Sequence, residues 1–249
     1  MDKIFTKNIE HESAVKHVTG KAIYTDDISE PKNLLHAVIG YSNCSKGVIK
    51  KIDYKDVLSS EGVVDIITEK DIEGINDVGP IFKGDKIFTS KNIEYYGQPI
   101  FAVIAKTNNL AKKAALKVKI DLKISKPIVS IEEALKKKSF VLKPKYLTRG
   151  NIKDGFKRSD NFLKGKLYSG GQDHFYLEGQ IAMTIPQEDN NFLVYSSTQH
   201  PSETQQIIGK VLKQNYNSIH VIVRRIGGGF GGKETQSFLF ASITSIAAK

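Results

Sequence analysis

Apolar and polar positions along the chain form patterns that predict a mixed α/β protein. Residues 100–105 are a continuous apolar run, which is typical of a strand covered on both faces. Residues 34–41 and 118–122 also have strand patterns. Between residues 105 and 118, a helical pattern extends from a cap at Asn108 or Asn109 to Leu116. This strand–helix–strand order predicts an α/β unit with a crossover.

The second half of the chain continues with short strands and helices. A helix is predicted for residues 204–212, with Pro201 and Ser202 at its start. Another is predicted for residues 131–138, with Ser130 as its cap and Glu133 completing a capping box. Four further segments have strand patterns: residues 162–169, 180–186, 191–196 and 220–226.

A glycine-rich turn follows the last of these strands. Residues 227–232 contain five glycines and one bulky residue, Phe230. Glycine adopts positive φ freely and lets the backbone touch a ligand without a Cβ in between. From Lys233 and Glu234 an apolar run to Ala248 predicts a helix, whose first turn would favour an anion. The pattern therefore predicts a turn that holds a ligand.

Two nucleotide-binding motifs fit this turn in part. Gly227, Gly229 and Gly232 match G-x-G-x-x-G, but that motif expects an acidic residue on a second strand about 20 residues later. Residues 227–233 match a phosphate loop, except that Glu234 stands where Ser or Thr should bind magnesium. A turn without any ligand is the third alternative, although it would need only one or two glycines. The residues alone leave these alternatives open.

Composition narrows the class of protein. The chain has 249 residues and a net charge of +10, but its lysines are scattered and no aromatic platform accompanies them, which disfavours nucleic acid. The charge fits either a lysine-rich proteome or a face for an acidic partner subunit. One cysteine, Cys44, excludes an internal disulfide framework and a cysteine-built iron–sulfur site in this chain. We see no apolar run of the roughly 18 residues that a membrane span needs and no signal peptide, so we expect a cytoplasmic protein.

Five ordered blocks give the turn a further interpretation: residues 19–27, 97–100, 170–180, 197–203 and the octapeptide 227–234. Together they resemble the molybdenum hydroxylases, the xanthine dehydrogenase and aldehyde oxidase family, and within it most closely the molybdopterin-binding subunit of bacterial xanthine dehydrogenases. The resemblance implies an N-terminal arm (residues 1–16), an α/β hammerhead domain (17–125), a connector (126–146) and the start of a molybdopterin-binding domain (147–249).

The resemblance also implies site residues. Gln199 matches the glutamine that donates a hydrogen bond to an oxo ligand of molybdenum. Phe230 and Gly231, with Gly229 beside them, match positions whose backbone lies against the cofactor. Glu234 matches the glutamate that binds the purine and stabilises charge during attack. Its neighbours in the glycine turn predict a closed and partly dry pocket around it. Gln172, Asp173, His174 and Glu178 could form a metal or acid–base cluster, but no third strong ligand accompanies them and we interpret them as structural; the resemblance implies that they frame the cofactor cavity.

The implied function is hydroxylation of a purine such as xanthine or hypoxanthine, with oxygen from water. Electrons would pass to iron–sulfur clusters and FAD on partner domains or a partner subunit, in a hetero-oligomer. The family's general base would follow position 249, so we expect a part of a longer subunit that is inactive alone. The alternative hypothesis is a non-catalytic truncated paralogue that docks to an iron–sulfur/FAD partner. An aldehyde substrate stays open, because most residues that shape the pocket are absent.

Overall fold

The computed structural model describes residues 10–249. Its strands are β1 (His36–Tyr41), β2 (Gly47–Asp53), β3 (Val63–Ile67), β4 (Asn92–Ile93), β5 (Pro99–Ala105), β6 (Lys119–Ile124), β7 (Ala182–Pro186), β8 (Phe192–Ser196) and β9 (Ile219–Ile222). Its α-helices are α1 (Ala14–Val18), α2 (Lys55–Leu58), α3 (Asn108–Ala115), α4 (Ile131–Lys136), α5 (Ile152–Lys157), α6 (Pro201–Leu212) and α7 (Ser237–Ala248). The predicted mixed α/β class is confirmed. In the described part of the chain, none of the helices has the length and apolar character needed to cross a membrane.

Residues up to 125 and residues 174–249 form one compact unit, and residues 126–173 form a second. Most of the predicted N-terminal arm lies outside the described residues. Within the part that is described, Ser13 is buried, and its Oγ accepts a hydrogen bond of 2.9 Å from Arg225 Nη2. The end of the arm is therefore tied to the residues just before the glycine turn.

Strand β5 is the centre of the first sheet, whose order is β1-β5-β3. Both of its neighbours are antiparallel to it, and all seven of its residues are buried. Because successive strand residues point to opposite faces, β5 contributes to two apolar cores. Ala102 and Ile104 join one core, whereas Phe101 and Val103 join the other. The prediction of a strand covered on both faces is confirmed.

The predicted crossover between residues 105 and 118 is wrong. Strands β5 and β6 lie in different sheets, and β6 pairs antiparallel with β2 in a sheet of order β4-β2-β6. The parallel pair among the described strands is β8–β9, in the third sheet, and helix α6 connects its two strands. The hydrophobic pattern located each strand but carried no information about its pairing partner.

Several predicted boundaries also change. Thr107, and not Asn108 or Asn109, caps α3, because its side chain accepts a hydrogen bond from Leu110 N. Ser130 caps α4 as predicted, but the Glu133 carboxylate binds Lys137 at 2.7 Å instead of the cap backbone, so no capping box forms. Strand β9 ends at Ile222, four residues before the predicted end.

The unit of residues 126–173 differs most from the predictions. The strand predicted for residues 162–169 is irregular and exposed, and helix α5 (Ile152–Lys157) was not predicted. The backbone hydrogen bonds within this unit lie in or beside α4 and α5. An apolar alternation forms a strand only when a neighbouring strand accepts its backbone hydrogen bonds, and residues 162–169 have no such neighbour in the unit.

Candidate functional site

The glycine turn is fitted tightly to the segment of residues 174–180. Gly227 has φ +60°, and an added Cβ would lie 2.8 Å from the backbone nitrogen of Glu178. The carbonyl of Gly227 accepts a 2.9 Å hydrogen bond from Leu177 N. A side chain at position 227 would therefore break this backbone contact, which explains the glycine without reference to a ligand.

Gln199 fixes the far side of the turn. Its Oε1 accepts hydrogen bonds from the backbone nitrogens of Gly231 and Lys233, each at 3.2 Å. Because both donors are N–H groups, the accepting atom must be the oxygen of the amide. The Nε2 atom then faces away from these donors, and within the described part of the chain it has no hydrogen-bond partner. Gln199 thus carries a fixed neutral donor with its own bonds still to make.

Gly229 leaves the space that Gln199 occupies. A Cβ on Gly229 would lie 2.5 Å from Gln199 Oε1 and 2.8 Å from its Cδ, which is closer than real Cβ atoms approach other atoms. The amide is held there by its two backbone hydrogen bonds, so moving it aside would break them. The glycine at this position therefore decides where the Gln199 side chain lies.

Lys233 is the residue that sequence reasoning missed. Its side chain is 0% exposed. Its Nζ donates to Glu178 O at 2.8 Å, to Ser197 Oγ at 2.7 Å and to Ile226 O, and it lies 4.5 Å from the centre of the Tyr176 ring. Burial lowers the pKa of this ammonium, and the nearby charge of Glu178 acts in the opposite direction. A lysine among glycines gives no sign of burial in the sequence, because lysines are almost always exposed.

The predicted surroundings of Glu234 are wrong. Helix α7 begins at Ser237, so Glu234 does not lie in the first turn of a helix. Glu234 is exposed, and so are its neighbours in the turn, Gly231 and Phe230, the latter at 74%. In this chain these three residues form an open rim, which we define as Phe230, Gly231 and Glu234. A dry pocket around Glu234 is not part of this structure.

The nucleotide alternatives lose their support in the same geometry. The backbone nitrogens of Gly231 and Lys233 bind Gln199, and that of Gly232 binds Gly229 O at 2.7 Å. A phosphate loop needs such nitrogens free to cradle the phosphates, and needs its lysine to reach them. Here Lys233 points into the protein. Because α7 begins at Ser237, the glycines do not lead directly into a helix N-terminus that could hold an anion.

The blocks 19–27 and 170–180 meet at Glu178. Its Oε1 accepts a 3.1 Å hydrogen bond from Asp26 N, and its Oε2 is buried without a hydrogen-bond partner in the described residues. Gln180 Nε2 reaches the turn through a 2.8 Å bond to Gly232 O. Gln98 lies apart from this group, since it is buried at the start of β5 with Ser42 and Glu94 as partners.

A metal site is the alternative role for the cluster of Gln172, Asp173, His174 and Glu178. Residues 10–249 contain no group of three or more His, Cys, Asp or Glu side chains placed to hold a metal ion. The site offers backbone, one glutamine amide and an open rim instead. That donor set suits an organic cofactor that brings its own metal ligands, because one free N–H donor and a glycine edge can hold such a group without coordinating the metal. The residues present therefore fit a molybdopterin cofactor.

Two family models match the chain in succession. Residues 19–126 match the aldehyde oxidase and xanthine dehydrogenase a/b hammerhead domain, and residues 134–249 match the molybdopterin cofactor-binding domain. The chain is 38% identical to xanthine dehydrogenase of Dictyostelium discoideum over 243 residues, which are 98% of this chain and 18% of that protein. It is 39% identical to aldehyde oxidase 1 of Bos taurus over 243 residues, which are 96% of this chain and 18% of that protein.

Solved structures have the same fold. Aldehyde oxidoreductase from Desulfovibrio gigas superimposes with a TM-score of 0.82 at 25% identity, covering 95% of this chain and 29% of the other. Quinoline 2-oxidoreductase from Pseudomonas putida 86 superimposes with a TM-score of 0.81 at 19% identity, covering 97% and 33%, and shows the fold alone. The chain spans about a fifth of the length of these curated relatives. With a hammerhead domain followed by molybdopterin-binding residues, the chain belongs to the molybdenum hydroxylase family of xanthine dehydrogenases and aldehyde oxidases.

Proposed function

We propose that this chain supplies one wall of the cofactor site in a molybdenum hydroxylase that acts on a purine. The observation that carries the proposal is the Gln199 amide. Two backbone N–H groups bind its oxygen, so its Nε2 is turned outward as a donor for a ligand of molybdenum. A neutral amide suits this task, because it polarises an oxygen without titrating.

Three further residues have proposed roles. The backbone at Phe230 and Gly231 lies against the cofactor, where exposure of the rim leaves it accessible. Gly229 keeps Gln199 in place. Glu234 binds the substrate and stabilises charge that develops during the reaction. Its exposure in this chain means that residues outside positions 10–249 would have to cover it in the working enzyme.

When bound, the molybdenum cofactor supplies the redox chemistry and activates water as the source of oxygen. The part of this chain is to hold and orient: the Gln199 amide would donate a hydrogen bond to a ligand of the metal, and the rim would border the substrate. Iron–sulfur clusters and FAD on partner domains or a partner subunit would supply the electron acceptor. A cytoplasmic location and a hetero-oligomer belong to the same proposal.

The purine substrate rests on the sequence blocks rather than on overall identity. Relatives named xanthine dehydrogenase and aldehyde oxidase are equally similar, at 38% and 39% identity. The choice is tested with the native protein, purified from its source cell through a genomic affinity tag and assayed with xanthine and with an aromatic aldehyde. We expect turnover of xanthine. Turnover of the aldehyde alone would contradict the purine assignment and leave the family role intact.

Gln199→Glu is the variant for the role of the amide. The carboxylate still accepts the two backbone hydrogen bonds but has no outward donor. Loss of one preorganised donor lowers kcat by about a hundredfold or more. The 249-residue chain alone is expected to be inactive. A native protein that binds an iron–sulfur/FAD partner but holds no molybdenum would favour the non-catalytic docking paralogue instead.

A further inference from the structure

The Lys233 side chain is fully buried, so a contact with a ligand at the surface of the turn does not explain its position. It is one of the largest fully buried side chains of the protein. Lysine is almost never buried completely unless it is paired. The hydrogen bonds of its ammonium and of its backbone together explain why it lies there.

The ammonium has three N–H donors and no acceptor, and each donor has its own oxygen. These oxygens belong to Glu178, Ser197 and Ile226, in three separate segments of the chain. A neutral side chain at this position would leave Glu178 O without its donor, and Ser197 Oγ and Ile226 O with only their 3.2 Å bond to each other. Loss of hydrogen bonds to buried polar atoms is costly. The ammonium therefore ties the segment before the turn, the end of β8 and the segment of residues 174–180 to one point.

The backbone of Lys233 holds Gln199 from both ends. Lys233 N donates to Gln199 Oε1 at 3.2 Å, and Lys233 O accepts from Gln199 N at 2.9 Å. The same carbonyl accepts from Thr198 Oγ1 and Ser237 Oγ, each at 3.3 Å. Any displacement of the Lys233 backbone therefore moves the Gln199 amide.

We infer that Lys233 is a positioning residue, which sets the direction of the Gln199 donor by locking its own backbone through its buried ammonium. The inference rests on the proposed function, because that function gives the direction of the donor its purpose. Lys233 itself touches neither cofactor nor substrate in this scheme. Its influence passes through the backbone nitrogens of Gly231 and Lys233, and so can be measured without any cofactor.

The test is amide hydrogen exchange by NMR on the 249-residue chain. In Lys233→Met, the amides of positions 231 and 233 should exchange about tenfold faster, because their opening no longer requires the ammonium to be released. Ile208→Ala is the control: Ile208 is fully buried in the core around α6 and α7, so this variant reduces global stability without touching the Lys233 contacts. Equal exchange at these two amides in both variants, once global stability is matched, would overturn the inference.

A second variant covers the case in which Lys233→Met does not fold. Ser197→Ala removes one of the three ammonium contacts and should speed the same two amides by about threefold. No change in either variant that folds would also overturn the inference. Failure of the proposed function would be seen in a different measurement. A native protein that holds no molybdenum would contradict the proposed function without changing the exchange rates of these two amides.

Discussion

The glycine turn and residues 126–173 both have an unusual composition, rich in glycine in the first and in lysine in the second. The turn lies beside a buried charge with specific partners, whereas residues 126–173 are exposed. Beside the turn, the Lys233 ammonium has three hydrogen-bond acceptors and the Gln199 amide oxygen has two backbone donors. Residues 126–173 hold twelve Lys and Arg against five Asp and Glu, a net charge of +7 out of +10 for the whole chain. Their large apolar side chains, such as Leu147 and Leu163, are exposed. The buried ammonium of Lys233 is stabilised by three specific oxygens. The many charged side chains of residues 126–173, by contrast, lie in a segment that is exposed to solvent.

The largest expected difference between the two regions is in their rate of cleavage by a protease. Trypsin should cut within residues 126–173 at least about a hundredfold faster than within residues 174–249, because backbone with few internal hydrogen bonds opens at little cost. Mass spectrometry over a digestion series gives the order of the cuts. First cleavage at Lys233 or Arg225 would contradict the account of the turn.

A matched pair of glycine variants gives the next largest effect. Gly229→Val should cost about 1–3 kcal/mol of unfolding free energy, because the new Cβ overlaps the Gln199 amide. Gly155→Ala, in the exposed helix α5, meets no atom within 4 Å and should not destabilise the protein. Urea denaturation measures both. Equal stability of the two variants would show that Gln199 does not occupy the space beside Gly229.

The pH dependence of stability tests the burial of the Lys233 ammonium. Its pKa is lowered in the folded protein, so between that value and the usual pKa of lysine the unfolded chain binds more protons. The contribution of Lys233 to the unfolding free energy should therefore rise as pH rises through this window. Burial raises the pKa of Tyr41, Tyr54 and Tyr95, which act in the opposite direction, so the test is the difference in unfolding free energy between the wild type and Lys233→Met. Urea denaturation at a series of alkaline pH values should show that this difference rises with pH, whereas the difference between the wild type and the exposed control Lys153→Met should stay constant; a constant difference for Lys233→Met would contradict the assignment.

The smallest effect is expected for an exposed ion pair in the unit of residues 126–173. Lys137 Nζ, at the C-cap of α4, lies 2.7 Å from Oε1 of Glu133, which is four residues earlier in the chain. Pairs of this kind contribute little, because water screens them and two long side chains lose freedom. Glu133→Gln should leave the thermal midpoint unchanged within measurement. A clear drop in the thermal midpoint would mean that this ion pair contributes more to stability than an exposed pair should.

Sequence patterns predicted those parts of the fold that depend on a local signal. The apolar run of β5 and the start of α6 at Pro201 are examples, because strand burial and helix capping depend on the identity of consecutive residues. The pairing of β6, the start of α7 at Ser237 and the burial of Lys233 depend on contacts distant in sequence. At the site, the resemblance selected Gln199 and the turn. The buried ammonium behind them became visible only when residues 178, 197 and 226 were brought together.

The most direct test of the central claim is the molybdenum content of the native protein, measured by mass spectrometry of the metal after purification from its source cell. The account predicts about one molybdenum per chain, as expected for one metal centre. A wild-type protein free of molybdenum, from a cell that loads its other molybdenum enzymes, would contradict the claim that this turn and Gln199 serve a molybdenum cofactor.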